Sequence, residues 1–266
     1  MRDGNVLGFD SVPQPTYKDK DLRKAVALEK AKAQDETEVF ANDSKKKIYM
    51  HWMYDVPMGE QLDDDGDSLE SIEGCLTDAQ YNRDEHRKAV IDDILDNWVS
   101  QSHNGKFHAI LATSSIPEAI KYYKLFAQRD CGLKTTAVFD PSDGNNESSI
   151  EKIDGIAQML EDYNSLFGTC FNISGYASFK RDVCARLAHK TPYTAVENEP
   201  SKCLDILIVV DQMLTGYDSK WLNTLYMDKF YKWSNIEMII QAFSRTNRVF
   251  NDDKPCLLYT SPSPRD

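Results

Sequence analysis

Apolar and polar positions follow two periods along this chain. Phe107–Thr113 (FHAILAT) and Leu204–Val210 (LDILIVV) are short, nearly unbroken apolar runs, which predict strands buried on both faces. Lys134–Phe139 and Leu222–Met227 read as two further strands. Between them the spacing turns helical. Ser115-Ile116-Pro117-Glu118 is an S-x-x-E capping box with proline in the first turn. The helix it opens is expected to run to Asp130 and to bury Ala119, Tyr122, Tyr123 and Phe126. Ile150–Phe167, Tyr176–His189 and Asn235–Val249 read as helices, and Asp140–Ser149 as a polar loop. Strands alternating with helices in this way predict an α/β fold with a parallel sheet. Upstream the pattern is weaker. Residues 1–17 read as extended, punctuated by Pro13 and Pro15, and Asp21–Phe40 reads as one helix on its Ala, Lys and Glu content. Met50–Asp78 reads as irregular. Thr77 is a candidate cap for a helix from Asp78 to Ser102, with Val90, Ile91, Ile94, Leu95 and Trp98 on one face.

Composition sharpens this picture. The chain has 266 residues, enough for one large or two modest domains. Its 41% hydrophobic content, with 11 Phe, 13 Tyr and 4 Trp, excludes a disordered or fibrous class. The longest purely apolar run is Ile206–Val210, so no membrane span is expected. A formal net charge of -12 argues against a simple basic nucleic-acid binder. That argument is local, however. Asp55 to Glu85 holds eleven acidic residues and one basic residue, Arg83, so the remaining chain is close to neutral. Asp63–Asp67 within that stretch is not a calcium loop of the EF-hand type, because the twelfth position from Asp63 is Gly74 rather than a closing Glu. The six cysteines form no C-x-x-C pair, and Met1–Asn5 carries no apolar leader. Reduced, scattered thiols in a cytoplasmic protein are the expectation.

Two stretches carry candidate chemistry. After the strand Ile206–Val210 comes a turn with Thr215, Gly216 and Asp218, where glycine lets backbone approach a phosphate or a neighbouring domain. Alone, this is equally an ordinary strand-exit turn. In Gln241-Ala-Phe-Ser-Arg245-Thr-Asn-Arg248, a helix would place Gln241, Arg245 and Arg248 on one face at i, i+4 and i+7. Two guanidiniums there suit a polyphosphate, since each stays charged and forks onto phosphate oxygens. Spacing leaves a solvated charged face equally open.

The pair Ile206–Lys229 (ILIVVDQMLTGYDSKWLNTLYMDK) and Gln241–Arg248 (QAFSRTNR) closely resembles motifs V and VI of superfamily 2 helicases, and more narrowly the motor (R) subunit of type I restriction enzymes. Phe107–Phe126 resembles that subunit's motif IV strand and helix. Leu160–Phe171 resembles its insertion between motifs IV and V, and Arg2–Phe9 the stretch after its first motor lobe. The resemblance implies a RecA-like second lobe of an ATP-driven translocase of double-stranded DNA. It implies that Arg248 and Arg245 act as arginine fingers on ATP and Mg2+ bound mainly by the first lobe. It further implies that Gln241 positions phosphate and water, that Gly216 and Asp218 form the nucleotide-linked turn, and that Ser114, Ser115 and Thr215 contact the DNA backbone. Methyltransferase and specificity subunits are the implied partners, and the cytoplasm of a bacterium or archaeon the implied location.

The same resemblance marks what is missing. No P-loop G-x-x-x-x-G-K-[ST] occurs, Asp84-Glu85-His86-Arg87 is in the wrong order and setting for an acidic box, and Asp252-Asp253-Lys254 is a D-x-K match of the kind chance produces. The chain therefore reads as a fragment that does not hydrolyse ATP or cut DNA unaided. Residues 1–102 read as a linker and acidic insertion, 103–255 as the lobe, and 256–266 (CLLYTSPSPRD) as a string resembling a translated sequencing adapter. Two rival readings are the second lobe of another superfamily 2 translocase and a non-enzymatic acidic interaction fragment.

Overall fold

The apolar runs become strands, and their flanking amphipathic segments cover them. A computed structural model describes residues 8–15, 19–59, 69–75, 84–129, 131–139, 149–210, 219–228 and 256–263. In chain order the strands are β1 (Gly8–Pro15), β2 (His108–Thr113), β3 (Thr135–Val138), β4 (Ile206–Val210), β5 (Leu222–Asp228) and β6 (Cys256–Ser263). The α-helices are α1 (Asp19–Lys30), α2 (Glu36–Phe40), α3 (Asp43–Tyr54), α4 (Asp84–Gln101), α5 (Ile116–Gln128), α6 (Ser149–Phe167) and α7 (Tyr176–Leu187). The chain divides into two units, Met1–Val12 with Ile91–Ser261, and Pro13–Val90 with Pro262–Asp266.

The larger unit is built on a sheet of order β1-β6-β5-β2-β4-β3. β2 runs parallel to both β4 and β5, β3 parallel to β4, and β5 parallel to β6. β6 belongs to the adapter-like string and lies beside β5. Ala109, Leu111, Ile206, Leu207, Ile208, Leu222 and Leu225 are wholly buried, as a parallel sheet covered on both faces requires. Helix α5 lies against β2, β3 and β4 and buries Ala119, Tyr122, Tyr123 and Phe126, as expected from its spacing. Helix α6 packs on α5 and β3. Tyr163 of α6 meets Phe179 of α7 edge-on at 5.0 Å between ring centroids. The end of α4 is tied to β5, where the Asn223 amide donates to the Gln101 carbonyl at 2.7 Å and the Tyr226 hydroxyl donates to the Gln101 side chain. This is the α/β arrangement of parallel strands flanked by helices that the sequence pattern predicts.

Gly155 lies where α6 passes close to α5. A Cβ there would lie 2.9 Å from Ile120 Cγ2, a contact that only rotation of the Ile120 side chain relieves. Alanine gains helix propensity of about 1 kcal/mol, which offsets that repacking, whereas Gly155→Leu overpacks the crossing and is expected to cost about 1–3 kcal/mol. Urea unfolding midpoints of the two variants check this; a Gly155→Leu protein as stable as its parent would refute the close packing.

The smaller unit departs from expectation in two places. The single helix expected over Asp21–Phe40 breaks into α1 and α2, with Lys32 at φ 50 and the Asp35 carboxylate accepting from the Glu38 amide at 2.9 Å. The break has a physical cause. Propensity favours continuation, but an aspartate that caps a new helix offers the backbone an alternative partner. The break also lets Leu22, Val26, Ala27 and Val39 share one core with Tyr49, Trp52 and Ile72. The irregular stretch expected from Met50 begins inside α3, which opens at Asn42, whose side chain accepts from the Ser44 and Lys45 amides. Arg23 donates to the Val56 carbonyl at 2.7 Å, and Lys30 lies 4.4 Å from the Trp52 ring centroid, which fixes the ends of that core. The helix expected from Asp78 is described from Asp84 to Gln101, with Thr77 and residues 78–83 outside the described residues.

Candidate functional site

In open α/β sheets, ligands gather at the carboxyl ends of parallel strands, where connecting loops leave the sheet. Here three strands end level. Thr113 of β2 is in register with Val210 of β4 on one side and with Asp228 of β5 on the other. The segment holding Thr215, Gly216 and Asp218 continues from Val210, and the one holding Gln241, Arg245 and Arg248 continues from Asp228. All six of those residues lie outside the described residues, as does the helix expected over Asn235–Val249.

Ser114 and Ser115 are described, and they form the β2–α5 elbow at this edge. Ser114 is exposed. Ser115, in extended conformation at φ -158, caps α5 by accepting from the Glu118 amide at 3.4 Å. The capping geometry is the one S-x-x-E predicts on the serine side. The Glu118 carboxylate is buried and pairs with Lys121 Nζ at 3.0 Å. Proline follows in the first turn, where a missing N–H costs nothing, and the Ala119 amide already donates to the Ser115 carbonyl at 3.0 Å, so the cap serves most of the first turn from within. Such a terminus attracts anions through its amides and the positive end of the helix dipole.

Two side-chain links hold the elbow to its neighbours. Thr113 Oγ1 donates to the Val209 carbonyl at 3.1 Å. The Tyr122 hydroxyl, on a wholly buried ring, donates to Asp228 Oδ2 at 2.5 Å. The sequence alone marks Tyr122 as a buried residue of α5 but does not point to the second link. Its one available signal is an acidic residue closing the otherwise apolar or neutral run LNTLYMD.

The opposite edge, where the strands begin, carries a cleft of about 570 Å³ that sequence reasoning also missed. His189 stacks on Trp221 at 3.9 Å between centroids and 19° between planes. Its Nδ1 lies 3.1 Å from Glu197 Oε2, so that nitrogen carries the proton, a carboxylate being an acceptor only. Burial pushes the His189 pKa below its ordinary 6.5, against the opposing pull of Glu197. Burial also raises the Asp205 carboxyl, while the Lys134 amide donating at 2.8 Å draws it down. For His189 the sign follows from linkage. The unfolded chain takes up the proton more readily than the folded one, so stability rises with pH up to about 6.5 and this contribution is flat above it. His189→Gln is expected to shrink the gap in urea midpoint between pH 5 and pH 7.5. An unchanged gap would refute the assignment.

Comparison with known proteins places the sequence. Residues 105–257 match the family described as type I restriction enzyme subunit R domain 3. A type I restriction enzyme endonuclease subunit of Staphylococcus saprophyticus is 32% identical over 205 residues, which is 74% of this chain and 21% of that protein. One from Staphylococcus aureus is 30% identical over 192 residues, 69% of this chain and 20% of that protein. The HindI endonuclease subunit of Haemophilus influenzae is 44% identical over 52 residues, 20% of this chain and 5% of that protein. The chain thus spans about a fifth of the length of the Staphylococcus relatives. Among solved structures, the C-terminal part of the Fun30 ATPase domain aligns at TM-score 0.36 and 13% identity, covering 94% of this chain and 62% of that one. The Pyrococcus furiosus Hef helicase domain aligns at TM-score 0.37 and 11% identity, covering 91% and 36%. At those scores the fold rests on the sheet itself. With its matched segment covering more than half of its length, from the turn before β2 into β6, the chain belongs to the family of type I restriction enzyme R subunits.

Proposed function

We propose that residues 103–255 are the second motor lobe of an ATP-driven DNA translocase, the R subunit of a type I restriction complex, with residues 1–102 leading into it. One observation carries this reading. The ends of β2, β4 and β5 are level, so the Ser114–Ser115 elbow and the starts of the two motif-bearing segments share one edge. A lobe that couples nucleotide to DNA needs that arrangement, because a change felt at one segment is then adjacent to the other.

In this reading ATP with its Mg2+ is the substrate, held mainly by the first motor lobe of the subunit. Arg248, with Arg245 three positions before it in the chain, supplies the guanidiniums that stabilise charge developing on the transferred phosphoryl group. Gln241 orients the phosphate and the attacking water. Gly216 and Asp218 form the turn that responds to nucleotide. Ser114, Ser115 and Thr215 offer hydroxyls, with the α5 amides, to the DNA backbone, a contact that positions without reading sequence. The methyltransferase and specificity subunits are the partners, and the complex works in the cytoplasm of a bacterial or archaeal cell. Within the described residues no helix is long and apolar enough to cross a membrane.

The test is Arg248→Ala in a complete R subunit carrying this segment, with ATP hydrolysis and DNA binding measured side by side. Lost hydrolysis with retained binding supports the reading. Normal hydrolysis sinks it.

A further inference from the structure

We infer that Tyr122 and Asp228 are a positioning pair that makes the β2–α5 elbow and the end of β5 move as one body, and so couples ATP turnover to DNA movement. The inference rests on the motor-lobe reading above and names residues to which that reading gives no role.

The geometry is specific. Tyr122 lies one turn beyond Glu118 on α5, and seven residues beyond the capping Ser115, so it sits on the helix face below the cap. Its hydroxyl reaches Asp228 Oδ2 at 2.5 Å across 106 positions of sequence. Asp228 is the last residue of β5, in register with Thr113, and the segment with Gln241, Arg245 and Arg248 continues from it. Beside this link, Thr113 Oγ1 holds the Val209 carbonyl at 3.1 Å, one residue before β4 ends and the Thr215–Asp218 segment begins. The elbow therefore grips the exits of both neighbouring strands through side chains, in addition to the ladder.

Simple stability does not call for this. β5 is already held to β2 along His108–Thr113, and a buried tyrosine hydroxyl is satisfied by any carbonyl or water. A carboxylate acceptor instead makes a short, charge-assisted bond. Placed at the last strand residue, it resists displacement of β5's end relative to α5. A strain arising after Asp228 then reaches the α5 N-terminus, where DNA phosphate is proposed to sit, rather than dissipating in a loose strand end.

The test uses Tyr122→Phe, Asp228→Asn and the double variant in the complete R subunit assembled with its partner subunits. Three quantities are read: ATP hydrolysis with and without DNA, DNA affinity, and base pairs moved per ATP consumed. If the pair couples, DNA stimulation of hydrolysis and base pairs per ATP each fall by about fivefold or more, while DNA-free hydrolysis and DNA affinity stay within about twofold. The double variant is then no worse than either single one, because both break the same link. A merely structural pair would lower all readings together with the folded fraction, and that result overturns the inference, as does an unchanged number of base pairs per ATP. Should Asp228→Asn fail to fold, Tyr122→Phe decides alone, since it removes one hydroxyl and keeps the ring. If instead Arg248→Ala hydrolyses ATP normally, the motor-lobe reading falls. If Arg248→Ala is inactive and the Tyr122 and Asp228 variants couple normally, only this inference falls.

Discussion

Replacing Arg248 by alanine in a complete R subunit is expected to lower ATP turnover by about 10³-fold or more while leaving DNA affinity within a few-fold. The size follows from what a guanidinium does. Phosphoryl transfer spreads negative charge over the equatorial oxygens, and little covalent chemistry is left for the protein beyond positioning and charge stabilisation. A fixed, forked cation at that point acts mostly on the transition state, so its loss appears in turnover rather than in binding. Arg248→Lys restores the charge but not the planar fork, and is expected to recover only a small part of the rate. Steady-state hydrolysis with saturating DNA, beside a DNA-binding titration at fixed salt, separates the outcomes. Loss of both activities together would point to a folding defect, and a near-normal rate in Arg248→Ala would remove the residue from the mechanism.

The second large effect is structural. Arg186→Ala is expected to destabilise the sheet-bearing unit by about 3–5 kcal/mol, the range for breaking a buried charged network by deleting one partner. Against a total of about 5–15 kcal/mol for a typical domain, that is enough to unfold a substantial fraction at physiological temperature. The Arg186 side chain is 2% exposed. It donates to the Tyr163 hydroxyl at 3.0 Å, the Tyr193 hydroxyl at 2.9 Å and the Lys202 carbonyl at 2.8 Å. Its guanidinium lies 3.8 Å from the Phe167 ring centroid and 4.1 Å from that of Tyr193. Tyr163 and Tyr193 both donate to the Asp182 carboxylate, at 2.7 and 2.5 Å, so deletion of Arg186 strips the network of its cation. The direct Arg186–Asp182 distance of 3.5 Å is long, which places most of the loss in packing and in the Lys202 carbonyl left without its donor. Arg186→Met keeps the stem and should cost less than Arg186→Ala. Urea unfolding followed by aromatic signal checks the order, and equal midpoints for Arg186→Ala and the parent would refute it.

Different parts of the molecule were legible to different degrees. FHAILAT and LDILIVV announce β2 and β4 because a strand buried on both faces has no room for polar residues. SIPE announces the start of α5 because the first helical amides need a local acceptor, and a local acceptor is visible in local sequence. The α1–α2 break was not legible. Ala, Lys and Glu favour helix on both sides of it, and the cause is a core shared with α3 about ten residues further on. For the candidate site, Ser114 and Ser115 were named from sequence and stand at the strand-exit edge of the sheet. The link from Tyr122 to Asp228 was not named, because it spans 106 positions and the helical spacing that marks Tyr122 as buried says nothing of its partner.

By itself the sequence determined the strands β2 to β5, the buried face and cap of α5, and the motifs that join this chain to its family, all of them properties of neighbouring residues. The tertiary structure alone decided that β2, β4 and β5 end level, that the Tyr122 hydroxyl meets Asp228, and that His189 stacks on Trp221 at the opposite edge. Those facts depend on strand order and register, which are set by how whole apolar faces bury one another rather than by any residue's nearest neighbours in the chain.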